Sequence, residues 1–456
     1  MLSSHPIQSY SYQMRKSVEK TSPWIRWQHR AAQTLLRPIL RLYYGWSYRY
    51  HGERYREEDP NQPYLILSNH NGAVDPILLA LSFRQPIYFV ASDHIFRWGL
   101  ASKVIQCLAA PIPIVKAQLD LKAIHQMAAI SREGGTIGLF PSGNGSFTGP
   151  EMPIHLGTAK LARALKLPVL LFRFEGGYLT RPRWGVTTRR GTMSGRVVRA
   201  LSVDEIKAMT PEALLQIIQQ ELDADPYRDS LNDHAIPVQL FKGKRLAEYL
   251  ERVLFVCPDC HRLNTLRSKE DRLSCTCGFT TRYGEDGYFY TDASTHLAAL
   301  PHVKAFDQFQ LEYLKRWLAQ ADILRTHQVT PFFTDEGETL SVVQRASHAE
   351  KALHGQLALY SDRLVFRPDR PAQPSQPTQP VQPADHTALE FPLEQIRFIA
   401  VHGPQTLQFQ DARTNLVYEV HADHPRSAYR YRVLVDLLKP RILQNHSIDP
   451  TTNLAR

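Results

Sequence analysis

No apolar run in this 456-residue chain reaches the roughly 18 residues that a bilayer-spanning helix requires. The opening stretch, MLSSHPIQSYSYQ, lacks the charged-then-apolar order of a secretory signal. These two absences predict a chain that stays in the cytoplasm, or lies peripherally on the inner face of a membrane. Cysteine is scarce, with five in the whole chain. Cys107 stands alone in an apolar segment and reads as a small buried hydrophobe. The other four are clustered, and in a reducing compartment a cluster reads as a metal site rather than a disulfide framework. Acidic charge is in the minority, 44 Asp and Glu against 54 Lys and Arg, so the net charge is +10. Such an excess favours a polyanionic partner, which means nucleic acid, an anionic membrane surface or phosphorylated substrates.

What the chain does have is ample apolar content, 43% of residues, and more length than one compact core can use. Residues 24–46 are periodic as a helix. Trp24, Trp27, Ala31, Leu35, Ile39, Leu42 and Trp46 share one face, and Arg26, Arg30, Arg37 and Arg41 share nearly the opposite one. Pro38 is expected to kink or split it. A Trp-rich apolar stripe opposed by arginines suits a helix lying in a membrane interface. The alternative is a surface helix packing that stripe on the protein's own core.

Strand and helix patterns then alternate. Short buried strands are expected at 64–68 (YLILS), 87–91, 112–115, 136–140, 169–174 and 195–201, with helices at 77–83, 99–108, 119–132, 155–165 and 211–222. Alternation of this kind predicts an α/β sheet, largely parallel and flanked by helices. A connecting helix is expected at 244–252, short β-like pieces around the cysteines at 257–290, and an amphipathic helix at 303–321. From about 342 the pattern is β-rich and closes with a helix at 428–438, an element order that resembles a pleckstrin-homology-like barrel. The Pro/Gln-rich stretch 368–385 interrupts it as an extended insertion without chemistry. The expected organisation is an N-terminal amphipathic segment (1–55), an α/β domain (56–230), a cysteine-bearing unit (245–295), a helical connector (300–325) and a β-rich C-terminal domain (340–445).

His70 and Asp75 carry the chemistry. His70 sits just past the expected strand 64–68. Asp75 precedes Pro76 and an apolar run, the position of an N-cap with proline at the first helical residue. The pair flanks a turn, so the carboxylate can fold back onto the imidazole and hold one ring nitrogen. The other nitrogen is then left as a general base.

At this point the sequence resembles the glycerolipid acyltransferases, which include the lysophosphatidic acid acyltransferases of phospholipid biosynthesis. Their N-H-x4-D motif is matched by Asn69, His70 and Asp75. A short strand ending in a basic residue is matched by PIPIVK with Lys116. Their F-P-E-G-T-R-S is matched by FPSGNGS from Phe140 to Ser146, and a proline-led apolar strand by LPVLLFRF from Leu167. The resemblance implies a membrane-associated enzyme of lipid metabolism. It would move a fatty acyl chain from acyl-CoA or acyl-carrier protein to a hydroxyl of a lysophospholipid such as 1-acyl-glycerol-3-phosphate. His70 would be the base and Asp75 its orienting partner, with Asn69, Lys116, Ser142, Gly143, Asn144 and Gly145 around the acceptor. Two departures stand out. The motif's glutamate and arginine are Ser142 and Gly145 here, and its usual arginine of the second motif is lysine, which lacks the bidentate fork. Replacement arginines are sought among Arg173, Arg181, Arg183, Arg189 and Arg190. A second reading is a relative that binds lipid without turnover, or uses another acceptor.

Cys257-Pro-Asp-Cys260 followed by Cys275-Thr-Cys277 resembles a zinc ribbon, four thiolates closing tetrahedrally around a structural zinc. The second knuckle is C-x-C instead of C-x2-C, and His261 is an alternative fourth ligand. Arg262, Arg267, Lys269 and Arg272 surround it as a solvated basic loop, and nucleic acid is not the expected partner.

Overall fold

The computed structural model describes residues 23–57, 59, 61–72, 74–92, 110–114, 121–227, 239–290, 300–343, 352–369 and 388–448. The expected helix 99–108, Cys107, Lys116 and nearly all of the Pro/Gln-rich insertion lie outside the described residues. The chain forms two compact units, residues 1–182 with 188–242, and residues 183–187 with 243–456.

The first unit opens with helix α1 (Pro23–Ser47) and strand β1 (Tyr50–Gly52). There follow β2 (Leu65–Ser68), α2 (Asp75–Ser82), β3 (Ile87–Ser92), β4 (Ile112–Ile114), α3 (Leu121–Arg132), β5 (Thr136–Leu139), α4 (Leu156–Leu165) and β6 (Val169–Glu175). A helical turn at Gly177–Thr180, β7 (Met193–Leu201), α5 (Val203–Ala208) and α6 (Pro211–Leu222) complete it. The seven strands lie in the order β1-β7-β6-β2-β5-β3-β4. Strands β6, β2, β5, β3 and β4 run parallel, and β7 is antiparallel to β6. The period of two explains why β2 is buried at every residue. Leu65 and Leu67 face one core with Met127, Ala159 and Ile218, while Ile66 faces the other with Leu78, Phe83 and Phe172. Helix α6 starts as its sequence predicts, with the Thr210 side chain accepting the N–H of Ala213 and Pro211 at the first position.

Helix α1 is not split at Pro38. One intrahelical bond is forgone there, and Arg37 and Arg41 nearby anchor the helix on the carbonyls of Arg84 (3.4 Å) and Leu81 (2.7 Å). The orientation of this helix bears on the packing expected from its periodicity. Trp27, Leu35, Ile39, Leu42 and Trp46 are exposed, Leu35 at 72% and Trp46 at 71%. These stripe residues therefore do not pack on the protein's own core, and Arg37 and Arg41 face inward. Among the described residues no helix is long and apolar enough to cross a membrane.

The second unit holds a four-stranded antiparallel sheet of β8 (Leu266–Lys269), β9 (Arg272–Cys275), β10 (Thr280–Tyr283) and β11 (Phe289–Tyr290). Helices α7 (Val303–Trp317) and α8 (Ala321–Val329) follow. Then come β12 (Phe333–Val342), β13 (Leu353–Leu359), β14 (Arg363–Pro368), β15 (Leu389–Pro392), β16 (Ile396–His402), β17 (Thr406–Asp411), β18 (Val417–Ala422) and α9 (Ala428–Ile448). These seven strands are antiparallel in the order β15-β14-β13-β12-β18-β17-β16, a C-terminal β-rich region separate from the α/β core.

One helix expectation fails here, and another helix outruns its expected end. Residues 244–252 form turns ending in a 3-10 segment (Leu250–Arg252), because Arg245 and Tyr249 take positive φ and the N–H of Ala247 goes to the Glu270 carbonyl instead of up a helix. Helix α9 runs ten residues past its expected end and carries Pro440 within it, held by Arg441 on the carbonyls of Leu318 and Lys315.

Candidate active site

Strand β2 ends at Ser68, and three long-range bonds shape the loop beyond it. Asn69 is 1% exposed, and both ends of its amide are engaged by one residue of β6. Its Nδ2 donates to the Phe174 carbonyl at 2.9 Å, and its Oδ1 accepts the Phe174 N–H at 2.7 Å. Asn69 thus ties the loop to the sheet. The next backbone N–H, that of His70, donates to Glu151 Oε2 at 3.1 Å.

Asp75 does not cap α2 as its spacing suggested. It is the first helical residue, and Val74 stands at the cap without a side-chain bond. Its Oδ2 turns back into the preceding loop, where it accepts Asn71 N–H at 2.6 Å, Gly72 N–H at 2.8 Å and His70 Nδ1 at 2.8 Å. One buried oxygen therefore fixes the loop and the ring together. A carboxylate can only accept, so Nδ1 carries the proton and Nε2 keeps its lone pair. The His70 side chain is 21% exposed and that of Asp75 1%. The imidazole stacks on Phe140, with ring centroids 4.6 Å apart, and Phe140 stacks in turn on Phe89.

The loop after β5 packs against this turn. Ser142 bonds the Asn144 carbonyl at 3.3 Å, and Gly143 has φ +68°, which favours glycine. A Cβ on Gly145 would stand 3.2 Å from the carbonyl oxygen of Asn71, so any side chain there presses on the His70 loop. Nine residues beyond Ser142 comes Glu151, which sequence reading passed over. Its Oε1 is shielded from solvent without a hydrogen-bond partner among the described residues. Burial pushes its carboxyl up to about 8, against the hydrogen bonds from Ser142 and the His70 amide, and the nearby Asp75 and Asp223 raise it further. No motif marks Glu151, since only the fold carries it to His70.

Of the arginines sought near the acceptor, Arg173 pairs with Glu175 at 3.1 Å, and Arg183 belongs to the second unit, where it donates to the carbonyls of Val401 and Gly403.

A family model described as acyltransferase matches residues 47–173, which span the His70–Asp75 pair and Glu151. The first unit carries an acyltransferase domain. The buried carboxylate and the ring it holds have the arrangement of a general base with its orienting partner, and the domain is an enzyme of acyl transfer. No curated protein matches the chain. Among solved structures, the 1-acyl-sn-glycerophosphate (LPA) acyltransferase PlsC of Thermotoga maritima is similar at 16% identity and TM-score 0.36, over 47% of this chain and 85% of that one.

In the second unit, Cys257 and Cys260 lie in the turn before β8, Cys275 ends β9, and Cys277 lies in the turn before β10. Their four sulfurs are within 4.8 Å of one another, with Cys257–Cys277 at 3.6 Å and Cys260–Cys275 at 3.8 Å. Tetrahedral thiolates at Zn–S distances of about 2.3 Å stand about 3.8 Å apart, so the cluster can chelate a metal ion of that size. The short C-x-C knuckle closes because Gly278 takes φ +101°. His261 is not in the cluster, and its ring stacks on Tyr313 at 4.9 Å.

Proposed function

We propose that the acyltransferase domain moves a fatty acyl chain from acyl-CoA or acyl-carrier protein to a hydroxyl of a lysophospholipid such as 1-acyl-glycerol-3-phosphate. The observation that carries the chemistry is the 2.8 Å bond between His70 Nδ1 and Asp75 Oδ2, which engages Nδ1 and leaves the lone pair of Nε2 as the base. His70 takes the acceptor's hydroxyl proton, and the oxygen attacks the thioester carbonyl. Asp75 stabilises the imidazolium that forms. As the C–S bond breaks, the leaving thiolate recovers that proton. Acceptor binding is assigned to Asn69, Lys116, Ser142, Gly143, Asn144 and Gly145.

We place the acyltransferase domain at 56–230, preceded by a membrane-interfacial segment at 1–55. The outward apolar stripe of α1 supports a peripheral position on the inner, anionic face of a membrane. The cysteine unit at 245–295 is read as a zinc ribbon with structural zinc, followed by a helical connector at 300–325. The order of seven antiparallel strands closed by a helix supports a pleckstrin-homology-like domain at 340–445 with its insertion at 368–385.

The test is a thioester-cleavage screen of the purified protein over many acceptors, with His70→Ala as control. Turnover of a lysophospholipid that disappears in the variant supports the reading. Equal inactivity of both proteins on every acceptor defeats it. Ser142 and Gly145 favour a second reading, an altered acceptor or lipid binding without turnover, which vesicle binding retained by a protein inactive on all acceptors would bear out.

A further inference from the structure

Five arginines converge on one cavity far from His70. Arg37 and Arg41 reach it from α1, Arg54 and Arg56 from the extended segment after β1, and Arg84 from the end of α2. The cavity measures about 260 Å³. It lies at the end of the sheet where Arg84 and Gln85 lead into β3. His70 follows the opposite, C-terminal end of β2, so the cavity is no part of the acyl-transfer site.

Part of this clustering has a structural cause. Arg41 donates to the Leu81 carbonyl in the last turn of α2, where a cation opposes the negative end of the helix dipole, and Arg37 donates to the Arg84 carbonyl just beyond that helix. That accounts for two guanidinium groups of the five. Arg54, Arg56 and Arg84 are exposed and make no ion pair among the described residues. The nearby Glu57 uses Oε1 to accept the N–H groups of Arg84 (2.8 Å) and Gln85 (3.3 Å), and its charge acts on Arg37. Crowding is felt by the cluster itself. Burial lowers the pKa of Arg37 and then Arg41 lowers it further, while for Arg41 burial is followed by Arg54. Like charges held this close raise the free energy of the empty site and favour any anion that enters. All five basic groups are arginine, whose planar fork matches phosphate oxygens two at a time.

We propose that this cavity is a binding site for a phosphate-bearing ligand, separate from the catalytic pair. The exposed stripe of α1 runs along the opposite side of the helix that supplies Arg37 and Arg41. With that stripe in the acyl boundary of a bilayer, the inward face would lie at the level of lipid phosphates. Only the choice of vesicles depends on this membrane placement of α1. The phosphate chemistry stands without it.

The experiment uses the full chain and the exposed pair Arg54→Ala/Arg56→Ala, which leaves the anchoring arginines of α1 in place. One arm measures sedimentation with phosphatidylcholine vesicles with and without phosphatidylglycerol. The other measures thermal stabilisation by inorganic phosphate. Removing one arginine near an anionic surface weakens binding about fivefold, so the double variant should lose more than tenfold in at least one arm. Loss in the vesicle arm alone names a lipid headgroup as the source of the phosphate, and loss in the phosphate arm alone names a soluble one. Binding in both arms indistinguishable from wild type overturns the proposal. An Ile39→Ser/Leu42→Ser variant separates the two ideas. If it abolishes vesicle binding while the arginine pair changes neither arm, the membrane reading stands and the phosphate site falls.

Discussion

Glu151 Oε2 accepts the backbone N–H of His70 at 3.1 Å, across 81 positions of chain. The bond fixes the backbone of His70 from one side while Asp75 fixes its ring from the other. Base position and base orientation thus depend on two different carboxyl groups. Asp75 lies in the motif, and Glu151 lies outside it.

The two functions of Asp75 can be separated by substitution. His70→Ala is expected to lower kcat by roughly 10²- to 10⁴-fold, the usual worth of a general base, with little change in Tm. Asp75→Ala leaves the N–H groups of Asn71 and Gly72 without their acceptor, and should lower both kcat and Tm. Asp75→Asn keeps a side-chain oxygen but loses the charge that stabilises the imidazolium. It should reduce kcat with a smaller loss of Tm than alanine. Steady-state kinetics and calorimetry on the three variants check this.

The Glu151 carboxyl, pushed up to about 8 by burial, binds its proton more tightly folded than unfolded, where its ordinary value is 4.5. The stability this contributes is fully present below about 4.5 and is lost as pH rises through 8. Glu151→Gln mimics the protonated form, so its Tm should exceed that of wild type by a margin that grows from about pH 5 to 8 and then levels off. A Tm difference that does not vary with pH would contradict it. Glu151→Ala removes the acceptor for His70 N–H and should lower kcat more than KM, whereas Glu151→Gln should retain most of the rate.

Metal content offers a third check. The purified chain should carry one zinc per molecule by elemental analysis. Cys257→Ser or Cys275→Ser should remove it and lower the Tm by several degrees, because a closed four-thiolate site stabilises only the folded form. Chelator treatment of wild type should give the same shift.

The stripe on α1 predicts a separation of binding from folding. Ile39→Ser and Trp46→Ser change exposed side chains, so Tm should move little. Vesicle affinity should fall roughly tenfold or more per residue, since burying a large apolar side chain contributes about 1.5–3 kcal/mol. Sedimentation against lipid concentration measures it.

Much of the first unit was legible because its signals are local. Buried strands such as YLILS, the alternation with helices, and His70 and Asp75 on either side of a turn all follow from spacing. The Asp75 carboxylate was legible as a partner for His70, but not its turn away from the cap, because cap and loop compete for one carboxylate over a few ångströms. The failed helix at 244–252 has a similar cause. Its residues suit a helix, yet Ser268 on β8 and Glu270 in the turn after it take the N–H groups of Tyr249 and Ala247.

The sequence by itself determined the identity of the base and its carboxylate, the four clustered thiols and the α/β order, since each depends on residues close together along the chain. Only the tertiary structure decided that Glu151 holds the His70 amide, that five arginines share one cavity, and that α1 turns Trp27 and Trp46 outward. Helical periodicity states which residues share a face. It cannot state which face is covered, because that depends on atoms brought from distant segments once the chain is folded.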